Sequence, residues 1–506
     1  MPPSSSGCSG AGSRRRFAAA GPLTQPAVST AEHGQASRLV AEPGSFRDPA
    51  SSVCYLDGRV LRRFDRDGWA DFETLAATRF YQQALERGEV VATTPVALDD
   101  LPEARLAGWA GVVEHERIPV ISYPYEWSFS MLKAAALRQL DLLLGGLAEG
   151  LTMKDGDAAN VQFRGAQPVF IDVGSFTSVR QGEPWAGYRQ FCETALYPLL
   201  LAAHRGVRFQ PWLRGAVGGI DPQDARRLLA GTAVWRAGVM KHVVLHQAIA
   251  ARMSAWRASD TREELKAAGF STELQVATVK ALRKLVAGLR WRAAGKDSAW
   301  SGYQQTSTYS AAERDRKAAF VERALASAGP LRLCLDLGAN DGSYARIAAR
   351  HADYVVAVER DEVTVDRLWQ QLTREGDTRI LPLCLDLTDP SPGLGWRGQQ
   401  RLAFDQRVRP GAVLALALIH HLTITANLPL AGLLDWWRGL GGHLVVEFVD
   451  PADPMAERLL ANKPAGMHGD YRREVFERLL AERFDVVDRE ELSSGRRVLY
   501  HALPRA

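Results

Sequence analysis

The chain has 506 residues, 46% hydrophobic and 24% charged, with a formal net charge of +4. That composition suits a globular protein of roughly two to four domains, and so small a net charge gives no footing for nucleic acid. No basic stripe is interleaved with aromatics, and no apolar run approaches the ~20 residues of a membrane helix. The first segment, 1–44, is rich in Ser, Ala, Gly and Pro, carries Arg14-Arg15-Arg16 and has no acidic residue before Glu32. It reads as a disordered tail, although its composition also resembles a transit peptide. Five widely spaced cysteines (Cys8, Cys54, Cys192, Cys334, Cys384) form no Cys-x-x-Cys pair, which suggests free thiols and a cytoplasmic location.

From residue 45 to 293 the pattern is α+β. YLDGRVLRRF, Tyr55 to Phe64, reads as a hairpin, and DFETLAATRFYQQALERG as a helix containing Glu73. VVEHERIPVISYPYEW suggests two strands, and SFSMLKAAALRQLDLLLGGLAEG a long helix. Then comes TMKDGDAANVQF…PVFIDVGSF, where Asp155 and Asn160 stand five apart and Asp172 follows 12 residues later, with two short apolar runs between. This spacing resembles the catalytic and metal-binding segments of the protein-kinase-like fold. The resemblance implies Asp155 as acceptor of a hydroxyl proton, Asn160 and Asp172 on magnesium, and Mg-ATP as the ligand. The pattern departs from that fold where nucleotide binding needs it. No glycine-rich loop precedes Tyr55, and Arg62 and Arg63 stand where a strand lysine is expected. A degenerate scaffold, an active atypical kinase and an unrelated helical domain are all compatible with these residues. His242 and His246 are four apart in HVVLH, but no glutamate or cysteine completes a metal motif, so no metal site is assigned.

Residues 294–328 read as a linker followed by the helix AAERDRKAAFVERALASAG. From 329 to 506 strands alternate with helices, the pattern of a doubly wound sheet. LCLDLGANDGSYARIAA gives a buried strand ending near Asp336, then a turn spaced by Gly338, Asn340 and Gly342, then a helix. The next strand, YVVAVE, ends at Glu359, an acid placed to grip a ribose. A third, RILPLCLD, ends at Asp386, placed for an adenine amine. GAVLALALIHHL reads as a strand ending in His420-His421, and GGHLVVEFVDP as one carrying Glu447. FDVVDREEL and RRVLYHAL read as a terminal antiparallel hairpin. A dinucleotide-binding domain is the alternative, but the third glycine of its fingerprint is missing.

A glycine turn, a ribose acid and an adenine acid describe an adenosyl ligand without phosphates. The segment 300–505 resembles the class I S-adenosylmethionine (SAM) methyltransferases. That resemblance implies Asp336, Gly338, Asn340 and Gly342 around the methionine moiety, Glu359 on the ribose and Asp386 near the adenine. His420, His421 and Glu447 are candidate bases or acceptor ligands, and Tyr471, Arg472, Arg473 and Arg497 candidate acceptor-lining residues. Over nearly the full length, motifs such as SYPYEWSFSMLKAAAL, PWAGYRQFCETALYPLLL and LCLDLTDPSPGLGW resemble the NoeA-like host-specific nodulation proteins. The expected activity is methylation of an oxygen on a small-molecule or saccharide acceptor. A bifunctional kinase–methyltransferase and a non-catalytic SAM-binding regulator are the alternatives.

Overall fold

The computed structural model describes residues 39–101, 108–245, 271–292 and 309–505. The expected linker at 294–308 and His246 lie outside these residues.

The amino-terminal half begins with a five-stranded antiparallel sheet. Its strands are β1 (Val40–Ala41), β2 (Ser51–Leu56), β3 (Arg59–Phe64), β4 (Thr93–Val96) and β5 (Gly111–His115), in the order β1-β2-β3-β5-β4. The hairpin β2–β3 turns at Asp57-Gly58, both at positive φ, as a two-residue hairpin turn requires. Strand β1 falls in the stretch expected to be disordered; it pairs with Cys54 and Tyr55, and Glu42 accepts the Tyr55 hydroxyl at 2.6 Å. The single helix expected around Glu73 is two helices, Arg66–Ala76 and Arg79–Glu86. Thr78 breaks them because its hydroxyl caps the second, accepting from Tyr81 N. Glu73 is exposed. Of the two strands expected in VVEHERIPVISYPYEW only β5 forms. The two prolines divert the rest into a 3₁₀ turn, Pro124–Glu126.

The long helix Phe129–Ala148 is capped by Ser128 and buried on most of its surface. It leads into β6 (Leu151–Met153), the hairpin β7 (Val161–Arg164) and β8 (Gln167–Phe170), and β9 (Phe176–Ser178), which pairs with β6. The described part of 184–289 is mainly helical, as expected.

The carboxyl half is a seven-stranded doubly wound sheet. It contains β10 (Leu331–Leu337), β11 (Ala352–Glu359), β12 (Ile380–Cys384), β13 (Ala412–Ala415), β14 (His443–Val449), β15 (Phe484–Glu491) and β16 (Arg497–Pro504). The order is β12-β11-β10-β13-β14-β16-β15; the first five strands are parallel and β16 and β15 antiparallel. The α/β expectation and its terminal hairpin are met. Strands β10 to β14 are apolar on both faces because helices cover both.

The two halves share one hydrophobic core, which runs from Phe64 to Ala502. The β7–β8 hairpin abuts the β12 edge. Gly165 (φ +57°) approaches so closely that a Cβ there would stand 2.3 Å from the backbone of Thr378. The Tyr354 hydroxyl accepts from Gly165 N at 3.0 Å and donates to Phe163 O at 3.1 Å. At the start of the long helix, Asp366 of the carboxyl half accepts from Ser130 N and the Ser128 hydroxyl, at 2.8 and 2.7 Å. A carboxylate from one half thus caps the positive end of a 20-residue helix in the other. Asp366→Ala should therefore lower stability by about 1–3 kcal/mol, since it strands buried donors. Chemical denaturation would show this as a lower midpoint, in a single transition that loosens both halves together. No described helix is long and apolar enough to cross a membrane, and Cys54, Cys192, Cys334 and Cys384 are buried free thiols.

Candidate functional site

All six predicted cofactor residues lie at the carboxyl edge of the sheet, where the crevice of a doubly wound fold lies. Gly338 (φ +77°), Asn340 (φ +48°) and Gly342 (φ +78°) turn the chain from β10 into the short helix Ser343–Ala348. A Cβ on Gly338 would stand 3.2 Å from the Leu418 side chain, in a backbone conformation that side chains disfavour. Asp336 is 2% exposed and its Oδ2 meets no hydrogen-bond partner among the described residues. Burial pushes its carboxyl up to about 7, against the pull of Lys317.

Glu359 staples the glycine turn. Its Oε2 accepts from Asn340 N at 3.2 Å, and its Oε1 accepts from Arg360 N and Asp361 N at 2.7 and 3.0 Å. A carboxylate has about four acceptor positions, so these three bonds leave room for a ligand hydroxyl. Asp386 lies two residues beyond β12. Its Oδ1 accepts from the amide and hydroxyl of Thr388, and its Oδ2 pairs with the exposed Arg360 guanidinium at 3.0 Å. A ligand amine would compete with Arg360 for that oxygen.

His420 and His421 do not end a strand. Strand β13 stops at Ala415, Ala417 takes positive φ (+50°), and the histidines enter a π-helical turn, His421–Thr425. Their rings lie 4.1 Å apart. His420 is fully buried, and neither ring nitrogen has a hydrogen-bond partner among the described residues. Burial, then the charges of His421, Arg497 and Lys317, hold it neutral. Burial and Arg497 lower His421 to about 4. Both imidazoles are therefore neutral at physiological pH, and the same depression makes each a weaker base than a free imidazole.

Glu447 was expected near a strand tip as a base. It sits inside β14, opposite Leu499, fully buried. Its carboxylate pairs with Lys317 Nζ at 2.7 Å and Arg497 Nη1 at 3.4 Å, and the Tyr309 hydroxyl donates to it at 2.6 Å. Burial pushes its carboxyl up, but Lys317 and Arg497 more than offset this and keep it below the usual carboxylate range. This geometry makes Glu447 a clamp between the lead-in helix, Ala311–Ser327, and the terminal hairpin. Arg497 also pairs with Asp453 at 2.8 Å and stacks on the Tyr309 ring at 4.2 Å. Tyr471 is buried and donates to Val449 O; Arg473 pairs with Asp450 and Glu491; Arg472 is exposed. Most of these expected acceptor residues hold the hairpin instead. Lys317 was overlooked in the sequence. Its signal is a lysine on the apolar stripe Glu313, Lys317, Phe320, Val321, Ala324 of the lead-in helix.

In the amino half the three predicted polar residues also meet. Asn160 Nδ2 donates to Asp172 Oδ2 at 3.2 Å. Asp172 Oδ1 pairs with Arg62 at 2.9 Å, and Arg62 also bonds Ser51 and His115. Burial and the charges of Asp172, Asp157 and Asp48 raise Asp155 to about 6. Lys154 pairs with Asp48 at 3.4 Å. His242 is buried, with its Nδ1 2.6 Å from the Tyr188 hydroxyl.

No family model matches the chain. It is 34% identical to the nodulation protein NoeA of Rhizobium meliloti (strain 1021) over 461 residues, which is 90% of this chain and 94% of that protein. The chain belongs to the NoeA family. Solved structures similar to part of this NoeA-family chain include the N-methyltransferase NodS of Bradyrhizobium japonicum WM9. That match has 14% identity and a TM-score of 0.30, and covers 39% of this chain and 98% of NodS. The magnesium protoporphyrin IX methyltransferase of Synechocystis PCC 6803 with bound S-adenosylhomocysteine matches at 14% identity and a TM-score of 0.27. It covers 38% of this chain and 84% of that one.

Proposed function

We propose that this NoeA-family protein is a SAM-dependent methyltransferase acting on an oxygen of a small-molecule or saccharide acceptor. One observation carries the reading: Asp336, the Gly338–Gly342 turn, Glu359 and Asp386 gather at one edge of a doubly wound sheet with an antiparallel finish. The residues fit the cofactor. Asp336 Oδ2, which meets no hydrogen-bond partner among the described residues, suits a cationic amine, and the bare Gly338 Cα leaves room for close approach. Glu359 would take the ribose and Asp386 the adenine amine. Bound there, SAM supplies an activated methyl group, so the protein must chiefly align the acceptor and exclude water. Neutral His421, the partly exposed imidazole of the pair, would take the acceptor's hydroxyl proton.

The amino half is best read as a degenerate kinase-like scaffold. The Arg62 guanidinium and the Asn160 amide already occupy both oxygens of Asp172, where a metal would bind.

Two outcomes follow. Gly338→Arg should abolish SAM binding in a protein that still folds, measured by calorimetric titration; unchanged affinity would remove the site assignment. SAM affinity should also rise between about pH 6 and 8, because the Asp336 carboxyl, held near 7, loses its proton over that range. Without ligand the same shift destabilises: the folded state holds this proton more tightly than the unfolded one, so stability falls as pH rises from about 4 to 7. Titrations at stepped pH check the first sign and denaturation the second.

A further inference from the structure

The loop 385–403 follows the adenine-side strand β12, and its start is tied to the sheet by Leu385 N, which donates to Glu359 O at 3.0 Å. Further anchors lie in the amino half. Three residues beyond Asp386, Asp389 receives both terminal nitrogens of Arg214, at 2.8 Å each. Arg214 also donates to the carbonyls of Asp389 and Pro390, at 3.0 and 3.3 Å. The far end is held in the same way. Arg401 donates to Asp157 at 3.1 Å, and Leu402 N donates to the Tyr123 hydroxyl at 2.9 Å. The Tyr123 ring lies under two guanidinium groups, Arg401 at 5.3 Å and Arg407 at 4.5 Å. Between the anchors the loop folds on itself through the Leu394–Arg401 bridge. Asp157 in turn caps the turn that carries Asn160.

We infer that Arg214 and Asp157 are positioning residues of the cofactor pocket: through this loop the amino half holds Asp386, and so the adenine end of the site, in place. The inference rests on the methyltransferase reading above. It gives the amino half a task that needs no nucleotide of its own. The reach is short at the near end, since the Arg214 fork fixes the backbone at Asp389 and Pro390 while Asp386 accepts from Thr388 between them. The Arg214–Asp389 pair is largely solvent-exposed, so global stability should hardly depend on it. Positioning and folding can thus be separated.

The test is calorimetric titration of the full chain with two probes. S-adenosylhomocysteine carries both the adenosine and the amino-acid end; 5′-methylthioadenosine carries the adenosine alone. Arg214→Ala should weaken both by the same factor, about five- to tenfold, with the melting temperature unchanged. Arg401→Ala should act in the same direction. The conservative Arg214→Lys, which keeps a cationic donor for the Asp389 carboxylate and carbonyl but loses the fork, should recover part of the lost affinity. Unchanged affinity in Arg214→Ala, a loss confined to S-adenosylhomocysteine, or a loss in Arg214→Lys as large as in Arg214→Ala would each overturn the inference while leaving the methyltransferase reading intact. A wild-type protein that binds neither probe would instead remove the reading on which the inference rests.

Discussion

Glu447→Gln is expected to cost about 3–5 kcal/mol of folding stability, the usual penalty for breaking a buried ion pair from one side. The carboxylate is fully buried and faces two cations, Lys317 and Arg497; Arg497 also pairs with Asp453, whereas Lys317 has Glu447 as its ion-pair partner among the described residues and feels Asp336 only at longer range. Glutamine keeps the shape but takes from the buried Lys317 ammonium its directly paired counter-charge. Replacing both partners, Lys317→Met with Glu447→Leu, should recover most of the loss, because no charge is then stranded. Chemical denaturation of the single and the double variant decides it: a single variant within about 0.5 kcal/mol of wild type would contradict the clamp. The pH dependence has a definite sign. Glu447 is held below its ordinary value of 4.5, so its contribution is present above that pH and is lost as pH falls below it.

Glu126→Ala is expected to do comparable damage at the seam between the halves. Glu126 is fully buried in the 3₁₀ turn before the long helix, and Arg407 of the carboxyl half pairs with it. Arg407 also donates to Ile121 O and Leu402 O and stacks on Tyr123. Removing the acid leaves a buried guanidinium facing carbonyls alone, again about 3–5 kcal/mol. The Glu126 side chain also accepts from Tyr123 N at 3.0 Å, so the turn keeps its backbone bonds but loses this side-chain bond. Hydrogen exchange should speed up on both sides of the seam, at 121–130 and at β12. Faster exchange on one side alone would mean that the halves are not energetically joined there.

The doubly wound sheet was legible because its strands are short apolar runs separated by helical periodicity, and because glycines mark the first turn. Asp336, Glu359 and Asp386 fell where strand ends place them. The run GAVLALALIHHL misled, since an unbroken apolar stretch does not distinguish strand from buried helix. Only Ala412–Ala415 is strand, and Ala417 turns the chain out of the sheet. Glu447 misled for a different reason. Its partners, Lys317 and Arg497, are 130 and 50 residues away in the chain, and no local pattern shows such a pairing. The Arg62–Asp172 pair was hidden likewise, although an arginine in place of the expected lysine was visible. Strand β1 was lost in a tail whose composition speaks for disorder, because two residues are too few to shift it.

The central claim is that one ligand site, the adenosyl site, carries the chemistry, while the amino half supplies a scaffold. Calorimetric titration of the full-length protein with SAM, and separately with Mg-ATP, tests it most directly. The account predicts saturable SAM binding and no saturable heat with Mg-ATP, since Arg62 and Asn160 occupy Asp172. Saturable Mg-ATP binding that disappears in Asp172→Ala would contradict the scaffold and establish a second active site; absence of SAM binding would contradict the methyltransferase itself.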